Sequence, residues 1–346
     1  MQRHLNTIYV TSEDAWLRKD GANIVVEVDG IEKGRAPLHV IGGVVCFGRP
    51  GASPALMAAC AEAGIALSFL TPNGKFLARM EGPRTGNVLL RRTQYRVADD
   101  LQRSVPIVRG IVTAKAANQR TVLRRALRDH GDRLDDGARG ALEAGEARLT
   151  HIARRAAKAD EIAVLRGHEG EAALTYFSAF DAMIQGDRAV FRFQGRSRRP
   201  PLDRMNALLS FLYAMLGHDC RSALESTGFD PQVGFLHTDR PGRASLALDL
   251  MEELRPVLAD RLALTLVNRG QVKARDFIVD EGGAVSLTED GRKAVLVAWQ
   301  DRKKRNLRHP FLGETMPMGL VPHVQALLLS RHLRGDLDGY PPFIWK

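Results

Sequence analysis

The chain has 346 residues, 45% of them hydrophobic and 26% charged, a composition typical of a soluble globular protein with room for two domains. Lysine and arginine exceed aspartate and glutamate by 50 to 40, and this net charge of +10 indicates a polyanionic partner, with nucleic acid ahead of a membrane surface. Cys46, Cys60 and Cys220 form no CxxC pair, and no stretch reaches the length of a membrane span. These features argue against a disulfide scaffold, a thiolate zinc site and membrane association, and they predict a cytoplasmic protein.

Residues 1–95 predict a β-rich region. Short runs rich in Val, Ile and Phe alternate with turn signals, and the Asn-Gly pair at 73–74 predicts a hairpin. One helix over 53–63 interrupts the strands, with Ser53 as its N-cap and Pro54 at its first position.

From about residue 100 the hydrophobic pattern becomes helical. In chain order, the predicted helices cover residues 105–129, 138–159, 165–184, 204–227, 244–270 and 323–335. A small hairpin is predicted at 276–288, and the arginine- and proline-containing stretch 193–204 is the clearest loop. The sequence therefore predicts an α+β protein in which a small N-terminal β domain (1–98) precedes a larger, mainly α-helical C-terminal domain (99–346).

The predicted helix at 165–184 carries a carboxylate in its apolar stripe. At about 100° per residue, one face collects Leu165, Ala172, Tyr176, Phe180 and Ile184. Glu169 falls near the middle of that face, whereas Glu171 and Asp181 fall where water can reach them. Because an unpaired buried carboxylate is costly, Glu169 must be protonated, paired or bound to a cation.

A second segment, residues 234–256, predicts a further helix that carries acids. Ser245 is its predicted N-cap, and Pro256 follows the first helical stretch closely enough to bend or end it. Asp249 and Glu252 lie three residues apart, so that their carboxylates share one side. Glu253 is closer to the apolar stripe by angle, but it can equally form the solvated edge of the helix.

A loop histidine adds a third kind of ligand to these acids. His237 precedes Asp249 by twelve residues, in the turn-rich stretch HTDRPG. A site built from Glu169, His237 and either Glu252 or Asp249 would offer two oxygens and one nitrogen, which suit Mg²⁺ or Mn²⁺. Each part also has a plainer interpretation, as a salt-bridged glutamate, a structural histidine and a charged helix flank. Spacing alone leaves both interpretations open.

Three segments in this order resemble the Cas1 family, the CRISPR-associated endonuclease and integrase of spacer acquisition. They are GHEGEAALTYF, MNALLSFLYAML and GFDPQVGFLHTDRPGRASLALDLMEELRPVLADR. Earlier stretches, including ACAEAGIALSFLTPNGKFLARMEG and AKAANQRTVLRRA, are similar as well, so the resemblance covers most of the chain. The ending HLRGDLDGYPPFIWK resembles the variety found beside type I-C systems.

The resemblance implies roles for individual residues. The Glu of the GxEG motif falls on Glu169, the His of the GFxH motif on His237, and the last acid of the helix motif on Glu252, with Asp249 as a further acidic contributor. Whether Asp249 or Glu252 is the direct third ligand stays open, because family members vary between Asp and Glu at the Glu252 position.

The resemblance also implies a reaction and partners. A DNA 3′-hydroxyl attacks a phosphodiester at the boundary of the CRISPR repeat and joins a short duplex to the array, with Mg²⁺ or Mn²⁺ polarising the phosphate. The β domain serves dimerisation and DNA contact, the α-helical domain is catalytic, and a Cas2 dimer bridges two homodimers.

Basic side chains are candidates for contacts with phosphates of double-stranded DNA. They are Arg192, Arg196, Arg198, Arg199, Lys303, Lys304, Arg305 and Arg308. Each can equally be solvated surface charge.

Two alternatives to an integrase remain: a non-catalytic DNA-binding scaffold whose acidic cluster is structural, and a metal-dependent nuclease that acts on branched DNA in repair. The reaction products distinguish the nuclease from an integrase, because integration joins strands whereas cleavage shortens or resolves them.

Overall fold

The computed structural model describes residues 6–82 and 87–345. Its first part contains eight short strands and one helix. The strands are β1 (Thr7–Val10), β2 (Trp16–Asp20), β3 (Asn23–Val28), β4 (Ile31–Pro37), β5 (Gly43–Phe47), β6 (Gly51–Ala52), β7 (Ala66–Leu70) and β8 (Phe76–Arg79), and the helix is α1 (Pro54–Ala63). They form two four-stranded sheets with the strand orders β1-β5-β7-β8 and β4-β3-β2-β6.

Local predictions for this part are confirmed. β7 and β8 pair antiparallel across the predicted turn, where Gly74 adopts a φ of +81° that favours glycine. Ser53 caps α1, since its Oγ accepts the Leu56 N–H at 3.3 Å, and Pro54 is the first helical residue.

The rest of the described chain is mainly helical. The helices are α2 (Val88–Asp99), α3 (Leu101–His130), α4 (Asp136–Ala156), α5 (Ile162–Ser178), α6 (Arg188–Phe191), α7 (Arg204–Thr227), α8 (Ser245–Arg255), α9 (Arg261–Asn268), α10 (Glu289–Lys304) and α11 (Val321–Leu333). Two small hairpins accompany them, formed by β9 (Phe277–Val279) with β10 (Val285–Leu287) and by β11 (Asn306–Arg308) with β12 (Thr315–Pro317). The predicted α+β class, with a β part before a mainly helical part, is confirmed.

The helical prediction erred in three places. The mainly helical part begins with α2 at Val88 and not near residue 100. Helix α10 and the β11–β12 hairpin were not predicted, because the sequence of α10 is dominated by charged residues that hide its apolar side. The predicted helix at 165–184 ends early, since α5 stops at Ser178 and a 3₁₀ turn over Phe180–Met183 follows it. By contrast, the expected break at Pro256 is confirmed, because a π-helical turn over Pro256–Asp260 separates α8 from α9.

Helix α3 is the element on which the candidate site is built. It is 30 residues long and packs against α4, α5 and α8 within one large apolar core. Among the polar residues buried on it, Lys115 and Asn118 lie one turn apart. None of the described helices is long and apolar enough to cross a membrane.

Candidate metal centre

Helix α5 buries a face centred on a different residue from the predicted one. His168 is 5% exposed and aligns with the buried Leu165, Ala172 and Tyr176. Glu169 keeps 26% of its side chain exposed, close to the 27% of Glu171. The prediction that Glu169 lies at the centre of the apolar stripe is therefore wrong by one residue, and Glu169 lies at the edge of the buried face.

At that edge Glu169 meets a buried lysine that the sequence reasoning missed. Nζ of Lys115 forms an ion pair with Oε1 of Glu169 and lies 2.6 Å from Oε2 of Glu252. Lys115 is only 5% exposed, so its ammonium bridges the two carboxylates away from bulk water. Its burial could have been predicted from the helical pattern, because Lys115 falls on the apolar face of α3 between Ile111 and Val122.

Glu252 is ionised in this environment. Burial alone would raise the pKa of its carboxyl, but the Arg255 guanidinium and the Lys115 ammonium outweigh burial and lower that pKa to about 2. Arg255 forms an ion pair with Oε1 of Glu252 and lies over the ring of Tyr213 at 5.1 Å. One buried anion is thus held between two cations.

His237 and Asp249 form a second cluster. Nδ1 of His237 lies 2.7 Å from Oδ1 of Asp249. The same carboxylate accepts the backbone N–H groups of Phe235, Leu236 and His237 at 2.6, 3.0 and 3.0 Å. Asp249 therefore holds the loop as well as the ring, and it leaves Nε2 as the ring nitrogen available to a ligand.

Two further contacts fix this loop. Nε of Arg166, on α5, donates to the Leu236 carbonyl at 2.8 Å, which ties the histidine loop to the helix of Glu169. Gly234 lies so close to α8 that an added Cβ would be 2.8 Å from Oδ2 of Asp249. The small residue is required by this close approach.

Two further predictions for α8, the cap at Ser245 and the solvated edge at Glu253, are wrong. Ser245 is not the N-cap, since Ala244 occupies that position without a side-chain hydrogen bond. Instead, Oγ of Ser245 donates to the Thr238 carbonyl at 3.1 Å. Glu253 is fully buried and does not form a solvated edge, and burial raises the pKa of its carboxyl to about 7.

The donor set fits a divalent cation in its chemistry. Within residues 6–82 and 87–345, no three His, Cys, Asp or Glu side chains are already arranged to hold a metal ion. A cationic group nevertheless lies between Glu169 and Glu252, and the buried Oε2 of Glu252 has no hydrogen-bond partner despite its ion pair with Lys115. Two oxygen donors and an oriented imidazole suit Mg²⁺ or Mn²⁺.

The candidate phosphate contacts divide into two groups. Two of the eight are engaged inside the protein. Arg196 donates to Ser197, Asn206 and Ser210, and Lys303 is 2% exposed and 3.0 Å from Asp219. Because their charged groups are occupied, we withdraw both from the predicted contacts. The other six are exposed and stay predictions: Arg192, Arg198, Arg199, Lys304, Arg305 and Arg308.

Two helices pair carboxylates across a buried lysine, and an oriented histidine lies on a loop tied to one of these helices. In a strongly basic chain, such side chains are typical of enzymes that act on phosphodiesters of nucleic acids. Residues 8–301 match the family of the CRISPR associated protein Cas1. The chain belongs to this family, as its sequence resemblance implied.

Curated relatives are similar over their whole length. CRISPR-associated endonuclease Cas1 2 of Rhodospirillum rubrum is 58% identical over 349 residues, and CRISPR-associated endonuclease Cas1 1 of Chlorobaculum tepidum is 51% identical over 346 residues. In both comparisons all of this chain and all of the relative are covered.

Solved structures share the fold. A CAS1 protein from Thermotoga maritima is 22% identical, with a TM-score of 0.80 and coverage of 95% of this chain and 97% of that chain. A casposase bound to its integration product is 20% identical, with a TM-score of 0.81 and coverage of 99% and 94%. At these identities the likeness concerns the fold alone.

Proposed function

We propose that Glu169, His237 and Glu252 are the metal ligands of this endonuclease and integrase of CRISPR adaptation. The observation that carries the proposal is the buried Lys115, whose ammonium pairs with both acids and so marks a place for positive charge between them. His237 joins them through the loop that Arg166 ties to α5. A bound Mg²⁺ or Mn²⁺ would polarise the phosphate of the DNA strand that is attacked.

We assign Asp249 a supporting role and not direct ligation. Its two oxygens already accept three backbone N–H groups and face Nδ1 of His237. Such a carboxylate fixes the orientation of a histidine ligand and raises its basicity. Glu252, whose Oε2 has no hydrogen-bond partner, is the better candidate for the third ligand.

The protein residues orient the reaction without a covalent enzyme intermediate. The three free cysteines are buried, and burial raises the pKa of each thiol, so none is an activated nucleophile. The 3′-oxygen of the incoming DNA would bond to the phosphorus as the bond from phosphorus to the 3′-oxygen of the attacked strand breaks. The attacking hydroxyl loses a proton and the attacked strand leaves with a free 3′-hydroxyl, so that one phosphodiester replaces another. Charge on the phosphate would face Arg255 and Lys115 as well as the cation.

Double-stranded DNA is the proposed substrate, held by the six exposed basic residues that remain candidates. We further propose a homodimer formed through the β domain (1–98), with the catalytic domain spanning 99–346, and a Cas2 dimer that bridges two homodimers. One of the matching solved structures is named a Cas6-RT-Cas1–Cas2 complex, which supports this kind of assembly. We also propose a type I-C-like variety, which the ending at 332–346 supports, and a cytoplasmic location, where a CRISPR array would be accessible.

The test is strand transfer of a labelled duplex into a plasmid that bears a CRISPR array, with Cas2 and Mn²⁺ present. Glu169→Ala should abolish joined product and keep DNA binding. Glu171→Ala is the matched control, because Glu171 lies on the same helix with nearly the same exposure but pairs with Arg148. Full activity of Glu169→Ala would overturn the ligand assignment.

The same experiment separates the alternatives. Wild-type protein that binds DNA but neither joins nor cuts it would favour the scaffold. Shortened or resolved strands without joined product would favour a nuclease that acts on branched DNA.

A further inference from the structure

Residues 340–345, called here the tail segment, lie outside any helix or strand and pack onto α3 and α8. Phe343 is 1% exposed and Tyr340 8%. Within the metal site proposed above, none of these residues has a role, so their burial beside it calls for its own explanation.

Glu253 of α8 anchors the tail segment. Its carboxylate accepts the hydroxyl of Tyr340 and, at 2.7 Å, the backbone N–H of Phe343. Nε2 of Gln325, from α11, donates to the same carboxylate at 3.1 Å. A buried carboxylate with three donors is a strong and directional anchor.

Asn118 of α3 joins all three elements. Its Nδ2 donates to the Glu253 carbonyl at 2.7 Å and to the Phe343 carbonyl at 2.8 Å. Its Oδ1 accepts the Trp345 N–H at 2.7 Å. One fully buried amide thus connects α3, α8 and the tail segment.

Two arginines contact the ring of Trp345, the last residue of the tail segment. The indole of Trp345 lies 5.2 Å from the guanidinium of Arg125 and 4.3 Å from that of Arg261. Arg125 belongs to α3 and Arg261 to α9, so the ring links two helices through cation–π contacts.

These anchors adjoin the candidate ligands. Glu252 and Glu253 are neighbours on α8, about 100° apart around its axis, so fixing one side chain fixes the direction of the other. Lys115 and Asn118 lie one turn apart on α3 and face the same helix. Any rotation of α8 that releases Glu253 from the tail segment also moves Glu252 relative to Lys115.

We propose that the tail segment is a positioning element of the metal site. Through Glu253 and Asn118 it fixes the rotation of α8 against α3 and thereby places Glu252 for the cation. The inference rests on the proposed function, because it assigns the tail segment to that same site.

The test uses the full chain with three variants: Glu253→Gln, Tyr340→Phe and Trp345→Ala. Tyr9→Phe is the control, since it removes a tyrosine hydroxyl from strand β1, away from α8. Mn²⁺ affinity is measured by electron paramagnetic resonance of the free ion, and strand transfer is measured over a range of Mn²⁺ concentrations. Circular dichroism shows that each variant is folded; Trp345→Ala removes only a partly exposed ring and should fold in any case.

We expect the dissociation constant for Mn²⁺ to rise about 10- to 100-fold in the tail variants, as for other supports of metal ligands. Excess Mn²⁺ should restore most of the strand-transfer rate, which a merely structural defect would not allow. Wild-type Mn²⁺ affinity in folded Trp345→Ala and Tyr340→Phe would overturn the inference.

Glu252→Ala separates this result from a failure of the proposed function. If Glu252→Ala binds Mn²⁺ as tightly as wild type, the ligand assignment itself is wrong. If Glu252→Ala loses Mn²⁺ while the tail variants keep it, only the role of the tail segment is wrong.

Discussion

Nδ1 of His237 lies 2.7 Å from Oδ1 of Asp249, and that carboxylate also accepts three consecutive backbone N–H groups of the histidine loop. One buried side chain therefore fixes the position of the loop, the direction of the ring and the tautomer of the imidazole. The acid that precedes Glu252 by one helical turn supports the site, whereas Glu252 itself faces Lys115.

Asp249→Asn should impair the site without removing a ligand. The amide cannot accept all of the loop's N–H groups, so His237 loses its orientation. Mn²⁺ affinity should fall about 10- to 100-fold. Combining Asp249→Asn with His237→Ala should cost no more than His237→Ala alone, because both changes remove one contribution. Additive losses in a double-mutant cycle would instead assign Asp249 a separate role at the metal.

Lys115→Met should destabilise the metal-free protein and increase its response to metal. Removing one partner of a buried ion pair costs about 3–5 kcal/mol, because Glu169 loses its cation and Glu252 keeps only Arg255. Since Mn²⁺ would replace that charge, the rise in melting temperature on adding Mn²⁺ should exceed that of wild type. Thermal unfolding with and without Mn²⁺ measures both quantities.

Lys303→Met provides the matched control. Lys303 is equally buried and pairs with Asp219, away from the candidate ligands. It should lose stability similarly but show the Mn²⁺ response of wild type. An equal increase in that response for both variants would mean that Lys115 has no specific relation to the cation.

Much of the fold followed from the sequence because local signals agreed with it. The Asn-Gly turn, the Ser53–Pro54 helix start and the limits of α7 are set by short-range chemistry. Helix α10 was not predicted, because Arg302 and Lys303 are buried on it. Charged residues therefore occupy positions where the helical pattern requires apolar ones.

Sequence motifs supplied the proposed ligands, but they could not supply the contacts that surround these residues. The motif residues Glu169, His237 and Glu252 were identified from the sequence, whereas their electrostatic partners were not. Lys115 lies 54 residues before Glu169, so only the packing of α3 against α5 brings them together. Burial of Glu253 depends on the tail segment, about 90 residues further along the chain, which no local pattern can indicate.

Asp260 should make stability fall as pH rises through mildly acidic values. Burial raises the pKa of its carboxyl to about 6 in the folded protein, against 3.8 for the unfolded chain, although Tyr213 donates to it at 2.7 Å. The folded state therefore binds more protons over this range. Its free energy of unfolding decreases by about 2 kcal/mol between pH 4 and pH 6, out of about 3 kcal/mol over the whole titration. Asp260→Asn lacks this titration. Urea unfolding at pH 4 and pH 7 should show the variant gaining stability relative to wild type, and an unchanged difference would contradict the shifted pKa.

Exposed arginines of the 193–204 loop should contribute to the salt dependence of DNA binding. Each phosphate contact releases counterions and adds about 0.9 to the slope of log affinity against log salt concentration. Replacing Arg198 and Arg199 together by Ala should thus lower the slope by about 2 if both contact phosphates. Fluorescence anisotropy with a labelled duplex measures it. The control Arg334→Ala, whose guanidinium pairs with Asp336, should leave the slope unchanged. A slope equal to wild type in the double variant would remove this loop from the DNA interface.

Gly234→Ala should uncouple the histidine loop from α8. A Cβ at this position would lie 2.8 Å from Oδ2 of Asp249 and 2.9 Å from Cβ of Ser245, so the loop must move away and His237 with it. We expect a loss of about 1–3 kcal/mol in stability from the steric conflict, together with weakened Mn²⁺ binding. Gly140→Ala is the control, because nothing lies within 4 Å of a Cβ on that exposed helical glycine, and alanine there should stabilise the protein by about 0.5–1 kcal/mol. Chemical unfolding and Mn²⁺ titration of both variants check these effects. If Gly234→Ala keeps wild-type Mn²⁺ affinity, the close approach of the loop to Asp249 does not position His237.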